Sequence, residues 1–295
     1  MTYGKDNFVI KHSQNEIVNK YLIQRLVNQS SITKGDLVYD IGAGSGAISK
    51  ALLDKGARVI ALEKDRERFL KCRQKFINRD RFEIYLMDFL IWQFPRYQKY
   101  KVFSNIPFFR TADIVNKLLL NKEPPEDCYL IVQKEAAEKY AGIPDDTLAS
   151  LLIKPLFWID IIYRFQRNDF HPAPSVDVVL LQIEKRKCRL VPDRHYGLYK
   201  DFIVFCHEGS NRTVKKSLKE LFTYHQLKQL SDSLNIDYRA SPTDLTFTQY
   251  LSLFHFYLEH NLRNKNVISG AEARLRKQQA DIVKTHRTRR RTARK

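Results

Sequence analysis

Apolar residues in the first two thirds of the chain fall in short runs separated by amphipathic stretches. Residues 37–41, 58–63, 82–87, 101–104 and 129–132 each read as a buried strand. Residues 47–55 and 65–77 carry helical periodicity between the first three, and a further helix is expected over 13–28. Strands alternating with helices at this spacing predict parallel pairing and a three-layer, Rossmann-like α/β architecture. Two later apolar stretches, 159–165 and 176–183, suit antiparallel strands at the sheet edge. Near Lys185-Arg186-Lys187 the pattern changes, and from Tyr196 onward it is helical. The expected organisation is an α/β domain over 1–187, a smaller helical domain over 188–260 and a tail over 261–295.

Charge adds a partner to this outline. The 295 residues include 51 Lys and Arg against 33 Asp and Glu, a net charge of +18. Such a surface seeks a polyanion, with nucleic acid the first candidate and an acidic membrane surface the alternative. Residues 261–295 hold twelve Lys and Arg against Glu272 and Asp281 and have almost no large apolar side chains. That composition predicts a disordered basic tail, suited either to binding RNA or to solubility. In the helical part, Arg212, Lys215, Lys216 and Lys219 fall at i, i+3, i+4 and i+7, so they share one helix face. That face is a candidate for phosphate contact; a solvated surface helix has the same spacing.

Other classes recede. No stretch of 18 apolar residues exists, and residues 1–6 lack the apolar centre of a signal peptide. Cys72, Cys128, Cys188 and Cys206 are far apart and form no Cys-x-x-Cys pair, so no metal site is expected and the thiols read as those of a cytoplasmic protein. A monomer is the default expectation.

The chemistry concentrates at strand ends. Gly42-Ala43-Gly44-Ser45-Gly46 forms a strand-to-helix turn in which glycines let the backbone approach a ligand closely. Glu63, about 20 residues on, is placed to accept hydrogen bonds from a ribose diol. The turn also fits Gly-x-Gly-x-x-Ala, so by itself it suits a nicotinamide dinucleotide as well as S-adenosylmethionine. Asp88 after the third strand can accept from an adenine amine. Asn105-Ile106-Pro107-Phe108 after the fourth is the distinctive element. An exocyclic base amine is a poor nucleophile, because its lone pair is delocalised into the ring. The Asn105 side-chain carbonyl and the Ile106 backbone carbonyl can both accept from it. Pro107 stiffens the turn, and Phe108 offers a face for an unstacked base. The same four residues alone also suit an ordinary strand ending in a proline turn.

Together with Asp6-Asn7-Phe8, Asp88-Phe89, Phe170-His171-Pro172-Ala173-Pro174-Ser175-Val176 and residues 247–254, these motifs resemble the rRNA adenine N-6-methyltransferase family, most closely its Erm type. The resemblance covers residues 5–260. It implies that Asn7, the backbone near Val9, Gly42, Gly44, Glu63, Asp88 and Asn105 contact S-adenosylmethionine. It also implies that Asn105 and Phe108 hold a flipped adenine with Phe170 on its other face. The implied substrate is one adenine of large-subunit (23S) rRNA, whose methylation blocks macrolide, lincosamide and streptogramin B antibiotics. The chain departs from the family pattern at Asp6, where Gln is usual, and at Phe108-Phe109, where Tyr-Asn is usual. Two alternatives stay open: a small-subunit dimethyladenosine transferase, whose clamp is typically Asn-Leu-Pro-Tyr, and a non-enzymatic RNA-binding protein on the same fold.

Overall fold

The computed structural model describes residues 15–281 apart from 96 and 209–212. Asn7, Val9 and Arg212 therefore lie outside the described residues. The chain divides into two compact units at 190/191, three residues beyond the boundary expected from sequence.

The first unit opens with the two-residue strand β1 (Glu16–Ile17) and helix α1 (Lys20–Gln29). Then come β2 (Leu37–Ile41), α2 (Ala47–Asp54), β3 (Arg58–Glu63), α3 (Arg66–Lys75), β4 (Phe82–Leu86), β5 (Lys101–Asn105) and α4 (Thr111–Leu119). The unit continues with β6 (Asp127–Gln133), α5 (Lys134–Ala141), α6 (Leu148–Ile153), β7 (Phe157–Arg164), β8 (Phe170–His171) and β9 (Val178–Lys185). Seven strands form one sheet in the order β4-β3-β2-β5-β6-β9-β7. The five from β4 to β6 are parallel, whereas β9 runs antiparallel to both β6 and β7. The expected α/β architecture and its antiparallel edge are both present.

Position in the sheet explains strand composition. Every residue of the central β2 is buried, as a strand covered on both faces requires, and its sequence is nearly continuous in apolar residues. At the edge, β7 alternates between exposed and more covered positions. The chain passes from β2 to β3 on one side and returns to β5 on the other. That reversal opens a crevice beyond the carboxyl ends of β2 and β5, the usual ligand position in an open α/β sheet.

The second unit is helical: α7 (Asp193–His207), α8 (Val214–Leu218), α9 (Tyr224–Leu234), α10 (Phe247–His260), α11 (Lys265–Ile268) and α12 (Ala271–Asp281). Aromatic rings bind it together, with Phe254 edge-on to Tyr199 at 5.1 Å and tilted against Phe202 at 5.5 Å. Here the structure corrects the expectation of a disordered tail starting at 261. Ile268 and Ala271 are fully buried, and the Asp201 carboxylate accepts the N–H groups of Gly270 (3.0 Å) and Glu272 (2.9 Å). The buried Ile268 and Ala271, with the two N–H groups held by Asp201, dock α12 on α7 despite its polar composition.

Candidate active site

The glycine turn joins β2 to α2, and Gly42, Gly44 and Gly46 all have positive φ. Gly46 has a steric reason as well: a Cβ there would lie 2.6 Å from the Phe76 ring. The Gly44 N–H donates to Glu63 Oε2 at 2.9 Å, and the Asp65 N–H to Oε1 at 2.9 Å. Glu63 is thus buried and fixed at the end of β3 by two main-chain donors. Together with Lys64, Asp88 and Phe109 it lines a cleft on one side of Gly42 and Pro107. Asp88 is held there by accepting from the Leu90 N–H at 2.9 Å.

A second cleft continues on the other side of Gly42 and Pro107. Asn15, Glu16, Ile17, Asp40, Gly44, Arg68, Asn105 and Phe108 line it. Its N-terminal wall is placed by pairing of β1 with β8, Glu16 opposite His171 and Ile17 opposite Phe170. The Asn15 amide donates to the Pro172 carbonyl at 2.6 Å, and the Asn15 carbonyl accepts from Asn105 Nδ2 at 2.8 Å. Spending its N–H on Asn15 leaves the Asn105 side-chain oxygen as an acceptor. Ile106, next to it, is buried. A third, more open cleft lies between Phe108 and Phe109 on one side and Pro172–Val176 on the other.

The sequence-derived site residues therefore fall into distinct groups. Gly42, Gly44, Glu63, Asp88, Asn105, Ile106, Pro107 and Phe108 converge on adjoining clefts at the strand ends. Phe170 differs from expectation: it is 3% exposed, edge-on to Phe165 at 5.3 Å, and faces the core rather than the open cleft beside Phe108. Its place in β8 turns the ring inward. Lys215, Lys216 and Lys219 are exposed, opposite the buried Val214, Leu218 and Leu221, but the helix they mark is only the five residues of α8. Asn15, Ile17 and Asp40 were not singled out from sequence. A signal for Asn15 was available: Gln14-Asn15, eight residues after Asp6-Asn7, carries the Gln that is missing at Asp6.

Asp40 bears on what the cleft can hold. It is 1% exposed; Oδ2 accepts from Ser49 Oγ at 2.7 Å, and Oδ1 has no hydrogen-bond partner. Burial pushes its carboxyl up to about 7, and the Glu63 carboxylate pushes the same way. A buried carboxylate with one oxygen left unpartnered at a ligand cleft suits a cationic ligand. With the fixed acids Glu63 and Asp88 and a backbone cradle at Gly42 and Gly44, the residues fit a positively charged adenosyl sulfonium. Among the described residues no group of His, Cys, Asp and Glu could hold a metal ion, and no helix is long and apolar enough to cross a membrane.

Comparison with known proteins agrees with this geometry. Residues 5–259 match the family described as "Ribosomal RNA adenine dimethylase". An Escherichia coli "rRNA adenine N-6-methyltransferase" is 28% identical over 254 residues, covering 86% of this chain and 98% of the relative. The "Ribosomal RNA small subunit methyltransferase A" of Mycoplasmopsis pulmonis is 26% identical over 250 residues, covering 83% and 96%. The crystal structure of the 23S rRNA methyltransferase ErmE superposes with a TM-score of 0.77 at 22% identity, over 83% of this chain and 100% of that one. A glycine turn backed by Glu63, an amide clamp oriented by Asn15 and a family match across most of the chain lead to one conclusion: this protein belongs to the ribosomal RNA adenine dimethylase family and is an S-adenosylmethionine-dependent rRNA adenine N6-methyltransferase.

Proposed function

We propose that this enzyme methylates one adenine of large-subunit (23S) rRNA and thereby confers resistance to macrolide, lincosamide and streptogramin B antibiotics. One observation carries the chemistry: the Asn105 side-chain N–H is spent on the Asn15 carbonyl, which leaves its oxygen to accept in a cleft that Ile106 and Phe108 also line. S-adenosylmethionine, when bound, supplies an electrophilic methyl on a sulfonium with a good leaving group. Gly42, Gly44, Glu63 and Asp88 hold it, and Asn15 and Ile17 take the place that sequence reading gave to Asn7 and Val9. Phe108 receives the unstacked base. The two carbonyls accept the N–H groups of the exocyclic amine and align its lone pair, so catalysis rests on orientation and fixed dipoles. No side-chain base is needed, since the product amine loses its proton to water. Lys215, Lys216 and Lys219, with Arg212, supply phosphate contacts.

The large-subunit reading is supported by the Erm-type clamp Asn105-Ile106-Pro107. The Mycoplasmopsis relative, named for the small subunit, motivates the second reading. The deciding experiment is transfer of labelled methyl to protein-free large- and small-subunit rRNA with the modified base mapped. Label on one adenine of the large-subunit RNA is the expected result. Label on small-subunit RNA alone would replace the resistance reading with one in ribosome biogenesis.

A further inference from the structure

One ion pair spans the cofactor cleft. Arg68, in the first turn of α3, places NH1 3.2 Å from Oε1 of Glu16 in β1. The side chains are 29% and 35% exposed, so the pair is partly withdrawn from water. It sits directly over the glycine turn: a Cβ at Gly44 would lie 3.6 Å from Glu16 Oε1 and 3.8 Å from Arg68 NH1. Both residues line the cleft that holds Asp40 and Asn105, on the opposite side of Gly42 from Glu63 and Asp88. If Glu63 and Asp88 take the adenosine, the remaining cleft takes the amino-acid end of the cofactor.

We propose that Glu16 and Arg68 form the recognition site for that amino-acid end, Arg68 taking the carboxylate and Glu16 the ammonium. The inference rests on the cofactor reading above. A bridged acid and base is the charge complement of a zwitterion. An RNA phosphate fits less well, because it would meet Glu16 as a like charge. Arg68 has a planar fork of donors suited to a carboxylate, and Glu16 is its only ion-pair partner among the described residues. The surroundings lean positive: Lys75 donates to the Ser45 carbonyl at 2.9 Å, with Lys20 and Lys50 near enough to act on it electrostatically. The acids Glu16 and Asp40 then face the ammonium and sulfonium.

Isothermal titration of the full chain separates the two ends of the ligand. S-adenosylhomocysteine carries the amino acid; 5′-methylthioadenosine keeps the adenosine and sulfur without it. Arg68→Met is expected to weaken S-adenosylhomocysteine about 10- to 100-fold, the range of a charge-assisted hydrogen bond, and to change methylthioadenosine less than about twofold. Glu16→Gln should show the same selectivity with a smaller loss. Arg68→Lys, which keeps the charge, should recover part of the affinity and gives the same comparison if Arg68→Met folds poorly. Equal losses for both ligands, or none for either, would overturn the inference. Failure of the wild-type chain to bind either ligand would instead overturn the cofactor reading on which it rests.

Discussion

Asn105 donates its side-chain N–H to the main-chain carbonyl of Asn15 across 90 residues of sequence, at 2.8 Å. The bond assigns the amide: nitrogen towards the N-terminal wall, oxygen left as an acceptor. Asn105→Asp should therefore be nearly as harmful as Asn105→Ala, although it keeps an acceptor of the same shape. A carboxylate has no N–H for the Asn15 carbonyl, so it must turn away or face an acceptor. Both variants should lower methyl transfer by about 100-fold or more, the scale of a lost positioned dipole. Melting temperatures near wild type would confirm that the loss is chemical. Near-normal turnover in Asn105→Ala would sink the assigned role.

Asn15 also carries a prediction that separates it from Asn7. Asn15 lines the cleft, with its side-chain amide on the Pro172 carbonyl, whereas Asn7 lies outside the described residues. Asn15→Ala should weaken S-adenosylmethionine binding about tenfold, on the order of one hydrogen bond lost in a partly buried site. Asn7→Ala should leave the affinity close to wild type. The reverse order in a binding titration would restore Asn7 to the role read from sequence.

Phe108 borders both the cofactor cleft and the open cleft towards Pro172–Val176. Its ring can carry a base; it has no hydroxyl to orient one. Phe108→Ala should raise KM for RNA by about 5- to 100-fold, the range of lost base–aromatic stacking, with S-adenosylmethionine affinity little changed. Phe108→Tyr should keep KM near wild type. Steady-state kinetics with RNA varied at saturating cofactor make the comparison.

Asp40 should leave a signature in pH. Its folded carboxyl is raised to about 7 from an ordinary 3.8, chiefly by burial. Below about 4 both folded and unfolded chains hold the proton. Between about 4 and 7 the unfolded chain releases it first, so this group lowers stability as pH rises; above about 7 the slope ends. The total is on the order of a few kcal/mol. The cofactor-free Asp40→Asn variant should lack this decline, seen as a difference in melting temperature against wild type from pH 4.5 to 8. Cofactor affinity should run the other way in the wild type, rising with pH as the carboxylate forms. A pH-independent difference between the two melting curves would remove Asp40 as the titrating group.

Much of this was visible in sequence because burial leaves a direct mark. Strands covered on both faces, such as 37–41 and the 129–132 centre of β6, read as nearly continuous apolar runs. The glycine turn, Glu63, Asp88 and the Asn105 clamp each follow a strand, so a parallel sheet had to gather them at one end. What stayed hidden depends on contacts with no period. A two-residue strand such as Glu16–Ile17 has no alternation to detect, and its pairing with Phe170–His171 is what brings Asn15 into the cleft. The same pairing turns Phe170 inward. Glu16 and Arg68 are joined only by folding. The docking of residues 262–281 rests on the Asp201 carboxylate accepting two N–H groups, which composition cannot reveal.

That docking divides the basic C-terminal region into two parts with different expected effects. Residues 262–281 contribute buried Ile268 and Ala271 and, through Glu272, an ion pair with Lys200 of α7 at 3.6 Å. Deleting 262–295 exposes apolar surface on α7 and leaves the Asp201 carboxylate without its two donors. The cost should be about 2–4 kcal/mol, visible as an earlier denaturation of the helical unit. Deleting only 282–295 should leave the melting temperature unchanged. It removes seven Lys and Arg, and the dependence of RNA affinity on salt should flatten accordingly, by up to about five in the log–log slope for single-stranded contacts. The position of the methylated adenine should stay the same, because the clamp is untouched. An unchanged salt slope in the shorter deletion would show that residues 282–295 do not contact the RNA backbone. An unchanged melting temperature in the longer one would show that α12 contributes nothing to the fold it packs on.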